Sequence, residues 1–110
     1  MQITMYRKEF FNANCLVAEA GSNCPKGGDA GHGGRTVVTF EDMGGTAMDV
    51  IVTNEHGIET SAQASKVTLI FSGDAEHDTA IRGLEFILGV LKKDESILSV
   101  ADRSKAVDIA

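Results

Sequence analysis

Lys66-Val-Thr-Leu-Ile-Phe71, cut off by Ser72-Gly73 and followed by Asp74-Ala-Glu-His-Asp-Thr-Ala-Ile-Arg-Gly-Leu-Glu-Phe-Ile-Leu-Gly-Val-Leu91, contains the change of hydrophobic period that decides the fold. Before the break, Val67, Leu69 and Phe71 alternate with Lys66 and Thr68, the period of a strand with one inner face. After it, Ile81, Leu84, Ile87, Leu88 and Leu91 recur at three- and four-residue spacing and form one apolar helical stripe. Asp74 or a neighbour can cap this helix. Glu76 and Asp78 lie in its first turn and Lys92 and Lys93 at its far end, both placements complementing the helix dipole. Phe86 and Val90 fall partly off the stripe, which fits either a subunit contact or deep packing in the monomer.

Working towards the N-terminus, four more segments have strand character. Gln2 to Lys8 alternates apolar Ile3 and Met5 with Gln2 and Thr4, and Cys15-Leu-Val-Ala-Glu-Ala20 follows the turn-like Asn12-Ala-Asn14. Arg35-Thr-Val-Val-Thr-Phe-Glu41 is rich in β-branched residues. Ala47-Met-Asp-Val-Ile-Val-Thr53 places Met48, Val50 and Val52 on one face. With Met43-Gly-Gly-Thr46 as the turn between them, these last two are expected to pair as a hairpin. Asn54-Glu-His-Gly57 ends the second of them, and Ile58 to Ala64 is too polar to assign between edge strand and loop. Ser96 to Ala110 has no clean period and fits a strand, a short helix or a swapped arm. The expected fold is α+β: a small, mainly antiparallel sheet of about five strands with one principal helix, in the C-terminal half, packed on it. At 110 residues the chain is expected to form a single domain, 1–110.

Composition narrows the function. A net charge of −6, with Lys and Arg dispersed, argues against bulk nucleic-acid binding, which needs a basic face. No apolar run reaches membrane-spanning length and no signal-peptide order is present, so a cytoplasmic location is expected. Cys15 and Cys24 are too few for a disulfide framework and are read as reduced. Five Phe, one Tyr and no Trp leave few large side chains for a monomeric core, which favours a homo-oligomer.

Between the second and third strands lies Asn23-Cys-Pro-Lys-Gly-Gly-Asp-Ala-Gly-His-Gly-Gly-Arg-Thr36. Six of the twelve glycines fall between Gly21 and Gly34, a backbone-entropy cost that an ordinary surface turn does not require. Lys26, Asp29, His32 and Arg35 recur at every third position with small residues between them. Small residues let the main chain approach a ligand and allow its N–H groups to form an anion nest. Lys26 and Arg35 add charge-assisted bonds, and a guanidinium can grip a phosphate through two of them. The candidate ligand-binding residues are therefore Lys26, Gly27, Gly28, Asp29, Gly31, His32, Gly33, Gly34, Arg35 and Thr36, and the expected ligand is a phosphate-containing small molecule.

Known phosphate motifs do not fit. Gly34-Arg35-Thr36 lacks the Walker lysine and opens a strand, and Thr36 stands where the dinucleotide fingerprint needs its third glycine. A solvated hairpin connection is the plain alternative for the loop, with Arg35 facing water or pairing with Glu41 or Asp42, and His32 an exposed loop histidine. Cys15, Cys24, His32 and Asp29 match no zinc spacing, and Asp74, Glu76, His77 and Asp78 are accounted for by capping and solvation. No metal, cofactor or catalytic residue is expected.

Gly27-Gly-Asp-Ala-Gly-His-Gly-Gly-Arg-Thr36, about ten residues between two strands, resembles the glycine-rich segment of small phage proteins that counter bacterial Thoeris defence by sequestering a cyclic ADP-ribose signal. The resemblance implies a non-enzymatic sponge that holds cyclic nucleotide signals intact in pockets at subunit interfaces, some members also holding cyclic oligonucleotides. Arg35 and the loop backbone are the residues it carries over. Arg82 and Arg103 are further candidates from charge alone. Two other functions stay open: a hydrolase of a phosphate or glycosidic bond, using His32 with Asp29 or His77 with nearby carboxylates, and an acidic protein-interaction inhibitor. The want of a nucleophile paired with a base weighs against the hydrolase.

Overall fold

The computed structural model describes residues 2–27, 33–103 and 107. The chain divides into two compact units, Met1–His77 and Asp78–Ala110. The first holds the strands and the first turn of the main helix; the second holds the rest of that helix and a short one after it.

Among the described residues the elements are β1 (Tyr6–Phe11), β2 (Cys15–Ser22), β3 (Arg35–Gly44), β4 (Asp49–Thr53), β5 (Glu59–Gln63), β6 (Lys66–Ser72), α1 (Asp74–Leu91) and α2 (Glu95–Leu98). The fold is α+β, and every strand pair is antiparallel. Four strands form one sheet in the order β1-β2-β3-β6, and β4 and β5 form a separate ribbon.

Alternation sets the two faces of the larger sheet. Ser22 opposes Thr36, Ala20 opposes Val38 and Ala18 opposes Phe40, while β6 brings Phe71, Leu69 and Val67 to the same three β3 positions. That face is apolar along its length and ends in the hydroxyls of Ser22 and Thr36. The opposite face carries Val17, only 1% exposed, and Thr39, whose hydroxyl is 3.0 Å from that of Thr68 across the β3–β6 ladder.

Two sequence expectations need correction. The strand expected over Gln2–Lys8 is displaced to Tyr6–Phe11; residues 2–5 do alternate exposed and half-buried, but outside the ladder. The β3–β4 hairpin does not exist. β3 is an interior strand whose edges are taken by β2 and β6, so β4 pairs instead with β5, which is the segment too polar to classify. Asn54-Glu-His-Gly57 closes that ribbon: Asn54 N–H donates to the Ile58 carbonyl at 2.9 Å, and the Asn54 side chain accepts from the amides of His56 and Ile58. Gly57 supplies the positive φ of 79° that the turn needs.

The helical period read on α1 is the one observed, and Ile81, Leu84, Ile87, Leu88 and Leu91 are all more than a third exposed, Leu91 at 75%. In the second unit the best-buried helical residue is Gly89, where an added methyl would overlap the Ile97 side chain of α2. Asp94 caps α2, its carboxylate accepting from the Ser96 amide and hydroxyl at 3.0 and 2.7 Å. Among the described residues no helix is long and apolar enough to cross a membrane.

Candidate functional site

Four short pieces of the first unit meet where the glycine-rich loop leaves and rejoins the sheet: the end of β2, the start of β3, the Ser72-Gly73 break, and the first turn of α1. The ladder pairs Ser22 with Thr36 and Arg35 with Ser72, which brings the β6–α1 turn beside both feet of the loop.

Asn23 closes the feet together. Its amide donates to the Arg35 carbonyl at 3.2 Å, its Oδ1 accepts from the Arg35 amide at 2.7 Å, and its Nδ2 donates to the Gly33 carbonyl at 3.2 Å. One short side chain thus extends the β2–β3 pairing past the last ladder residues, the local bonding for which Asn is favoured at turns.

Asp74 holds the limb on the β2 side. Its Oδ1 accepts from the Lys26 amide at 3.0 Å and its Oδ2 from the Gly27 amide at 2.8 Å. Asp74 or a neighbour is expected to cap its own helix; the structure also places the Asp74 carboxylate on main-chain donors 47 and 48 residues away. Gly73 bridges to the other limb, donating from its amide to the Gly34 carbonyl at 2.9 Å. Its φ of +118° lets the chain pass from strand to helix within one residue. Gly34 is buried, and a β-carbon there would lie 2.9 Å from Asp74 Oδ1 and 3.0 Å from Cys24 Sγ.

Beneath the feet is a polar cluster. His77 Nδ1 lies 2.7 Å from the Thr36 hydroxyl and 3.2 Å from that of Ser22, and the two hydroxyls are 3.0 Å apart. Ser22 Oγ also donates to the Arg35 carbonyl at 3.1 Å and accepts from the Cys24 amide at 3.1 Å. The Cys24 thiol points at the Gly73 carbonyl, 3.7 Å away. Every buried side-chain nitrogen and oxygen among the described residues has a hydrogen-bond partner, so this cluster is internally satisfied.

Of the ten residues expected to bind ligand, the structure describes Lys26, Gly27, Gly33, Gly34, Arg35 and Thr36; Gly28, Asp29, Gly31 and His32 lie outside the described residues. Lys26 is exposed on one limb. Arg35 is half-buried on the other, with Nη1 donating to the Gly34 carbonyl at 2.8 Å. Thr36 is 7% exposed, and its hydroxyl is engaged below the loop with His77 and Ser22. Arg82 and Arg103 belong to the second unit, Arg82 near Asp78 at 3.6 Å.

Sequence reasoning gave Ser22 and Asn23 no role and Asp74 only capping and solvation. The second strand was read to Ala20, two residues short of its end at Ser22, which hid Ser22 and Asn23 as loop-closing groups, and the reach of Asp74 to residues 26 and 27 has no local sequence signal. Cys15 and Cys24 are free thiols, and among the described residues no three His, Cys, Asp or Glu side chains gather as a metal site. Comparison of the chain with family models, with curated proteins and with solved structures finds no match in any of the three.

Proposed function

We propose that this chain binds a phosphate-containing nucleotide signal, a cyclic ADP-ribose isomer or a cyclic oligonucleotide, and sequesters it unchanged in the cytoplasm of a phage-infected bacterium. The observation that carries the reading is the fastening of both feet of the glycine-rich loop. Asn23 ties the two feet across residues 23, 33 and 35, and Asp74 fixes residues 26 and 27. A loop held this firmly at its base loses less entropy when it closes on a ligand. Lys26 and Arg35 stand on opposite limbs, where two cations can share the charge of a phosphate or a pyrophosphate. The likeness of Gly27–Thr36 to the Thoeris-countering proteins adds the ligand class.

Self-association belongs to the same reading. Tyr6 at 76%, Phe11 at 73% and Ile70 at 63% exposed, together with the open stripe on α1, are more apolar surface than a small monomer leaves to water. A homo-oligomer would cover it and build pockets between subunits.

A hydrolase is the second reading, and its foothold is His77 within bonding distance of two hydroxyls. Burial of Thr36 and the commitment of the Ser22 proton to the Arg35 carbonyl work against either as a nucleophile.

Native mass spectrometry with cyclic ADP-ribose and with cyclic oligonucleotides tests both. Sequestration requires an oligomer carrying a ligand of unaltered mass that is recovered intact after heat denaturation. Recovery of a cleaved product would establish the hydrolase instead. Arg35→Ala is expected to weaken binding tenfold or more, with Arg35→Lys restoring only part because an ammonium lacks the two-pronged grip.

A further inference from the structure

The two successive amides that open the loop, those of Lys26 and Gly27, are where an anion nest would begin, and a carboxylate of the protein already occupies them. The carboxylate comes from Asp74, the first residue of α1, so its position is set by the helix and by the Gly73 turn. Asp74 is half-buried, and the residue packed against its carboxylate is the buried Gly34. A β-carbon at Gly34 would meet Asp74 Oδ1 at 2.9 Å, Cys24 Sγ at 3.0 Å and Lys26 Cβ at 3.8 Å, so the carboxylate fills the space that a side chain there would take.

The geometry points to Asp74 as a positioning residue for ligand binding: a tethered carboxylate that takes the Lys26 and Gly27 amides for itself and thereby fixes the limb carrying the Lys26 side chain opposite Arg35. This inference rests on the proposed nucleotide-binding function and narrows it. The main chain of residues 26 and 27 is removed from the ligand-contacting set, and the phosphate falls to the Lys26 and Arg35 side chains. Charge-assisted bonds to two adjacent amides hold a backbone more firmly than neutral ones, so the limb is shaped before ligand arrives.

The test uses the full chain with Asp74→Ala, Asp74→Asn and Asp74→Glu, titrated with cyclic ADP-ribose by calorimetry, with amide hydrogen exchange measured separately on the ligand-free proteins. Asp74→Ala is expected to speed exchange of the Lys26 and Gly27 amides about tenfold or more, since both lose a charged acceptor, and to weaken binding by a similar factor. Asp74→Asn, which keeps one carbonyl oxygen, falls between Ala and wild type. Asp74→Glu restores more of the affinity than Asn because it keeps the charge. Thermal unfolding identifies any variant with a damaged fold; should Asp74→Ala be one, the comparison of Asn with Glu decides. Unchanged affinity in a folded Asp74→Ala would overturn the positioning role while wild-type binding upheld the function. Tighter binding by Asp74→Ala would also overturn it, because Asp74 would then be a competitor that ligand must displace. If the wild type binds no nucleotide, the function and the ligand-positioning role fail together, and the exchange rates still report whether Asp74 holds the limb.

Discussion

His77 Nδ1 and the Thr36 hydroxyl, from the first turn of α1 and the second residue of β3, are 2.7 Å apart, and Thr36 is 7% exposed. The contact binds the start of the helix to the strand that receives the loop. Thr36→Val keeps the shape and removes the hydroxyl, leaving His77 and Ser22 short of a partner. Loss of such a hydrogen bond costs about 1–2 kcal/mol, and urea denaturation is expected to show it as a lowered midpoint with an unchanged slope. Thr36→Ser, which keeps the hydroxyl, should recover most of the loss.

Asn23→Ala removes two side-chain bonds, one to the Arg35 amide and one from Nδ2 to the Gly33 carbonyl. The expected destabilisation is about 1–3 kcal/mol, with faster amide exchange at Arg35. Asn23→Asp keeps the acceptor for Arg35 but not the donor to Gly33, and should lie between the two. Equal exchange at Arg35 in Asn23→Ala and wild type would show that Asn23 does not close the loop.

Both of these contacts lie where the sequence was only partly informative. The strand periods of β3 and β6 and the helical period of α1 were plain because each element puts similar residues on one face. Pairing was not plain. Met43-Gly-Gly-Thr46 marks where the chain turns, but nothing in a turn names the partner of the strand after it, and the ladder of β3 was already filled by β2 and β6. β5, Glu59–Gln63, is exposed at every position, so no alternation could have revealed it. In β1 the charges of Arg7, Lys8 and Glu9 hid how far the strand runs, and it is likewise exposed throughout. The glycine-rich loop was visible as a segment, whereas the carboxylate that holds residues 26 and 27 comes from a helix start that local rules assign to capping.

Gly73→Ala tests the turn under the loop. With φ at +118°, a β-carbon is strained, and it would also crowd the Glu76 carboxylate. A cost of about 1–3 kcal/mol is expected for a side chain forced into such a region, measured by thermal or chemical unfolding. Because the Gly73 amide donates to Gly34 and its carbonyl accepts from the His77 amide, nucleotide binding should weaken alongside stability.

Asp94 supplies the pH prediction. Bonding from the Ser96 hydroxyl, and then from its amide, lowers the Asp94 pKa from its ordinary value of 3.8. A carboxylate depressed in the folded state stabilises that state above its unfolded pKa, and the contribution is lost as pH falls through the folded value. The cap on α2 should therefore be intact at neutral pH and release only in acid below 3.8. Chemical shifts of residues 95–98 followed from pH 6 to pH 2 would show the transition, and Asp94→Ala should display the uncapped shifts at every pH. A transition above 3.8 would contradict the depressed value.

Asn23 and Arg35 join the chain on either side of the glycine-rich segment through a pair of hydrogen bonds that make no use of the residues between them. That pair of bonds does not draw on the side chains between the two residues. The ligand contacts proposed for the loop are therefore separable from the bonds that join β2 to β3 at its base, as interchangeable heads fit one handle.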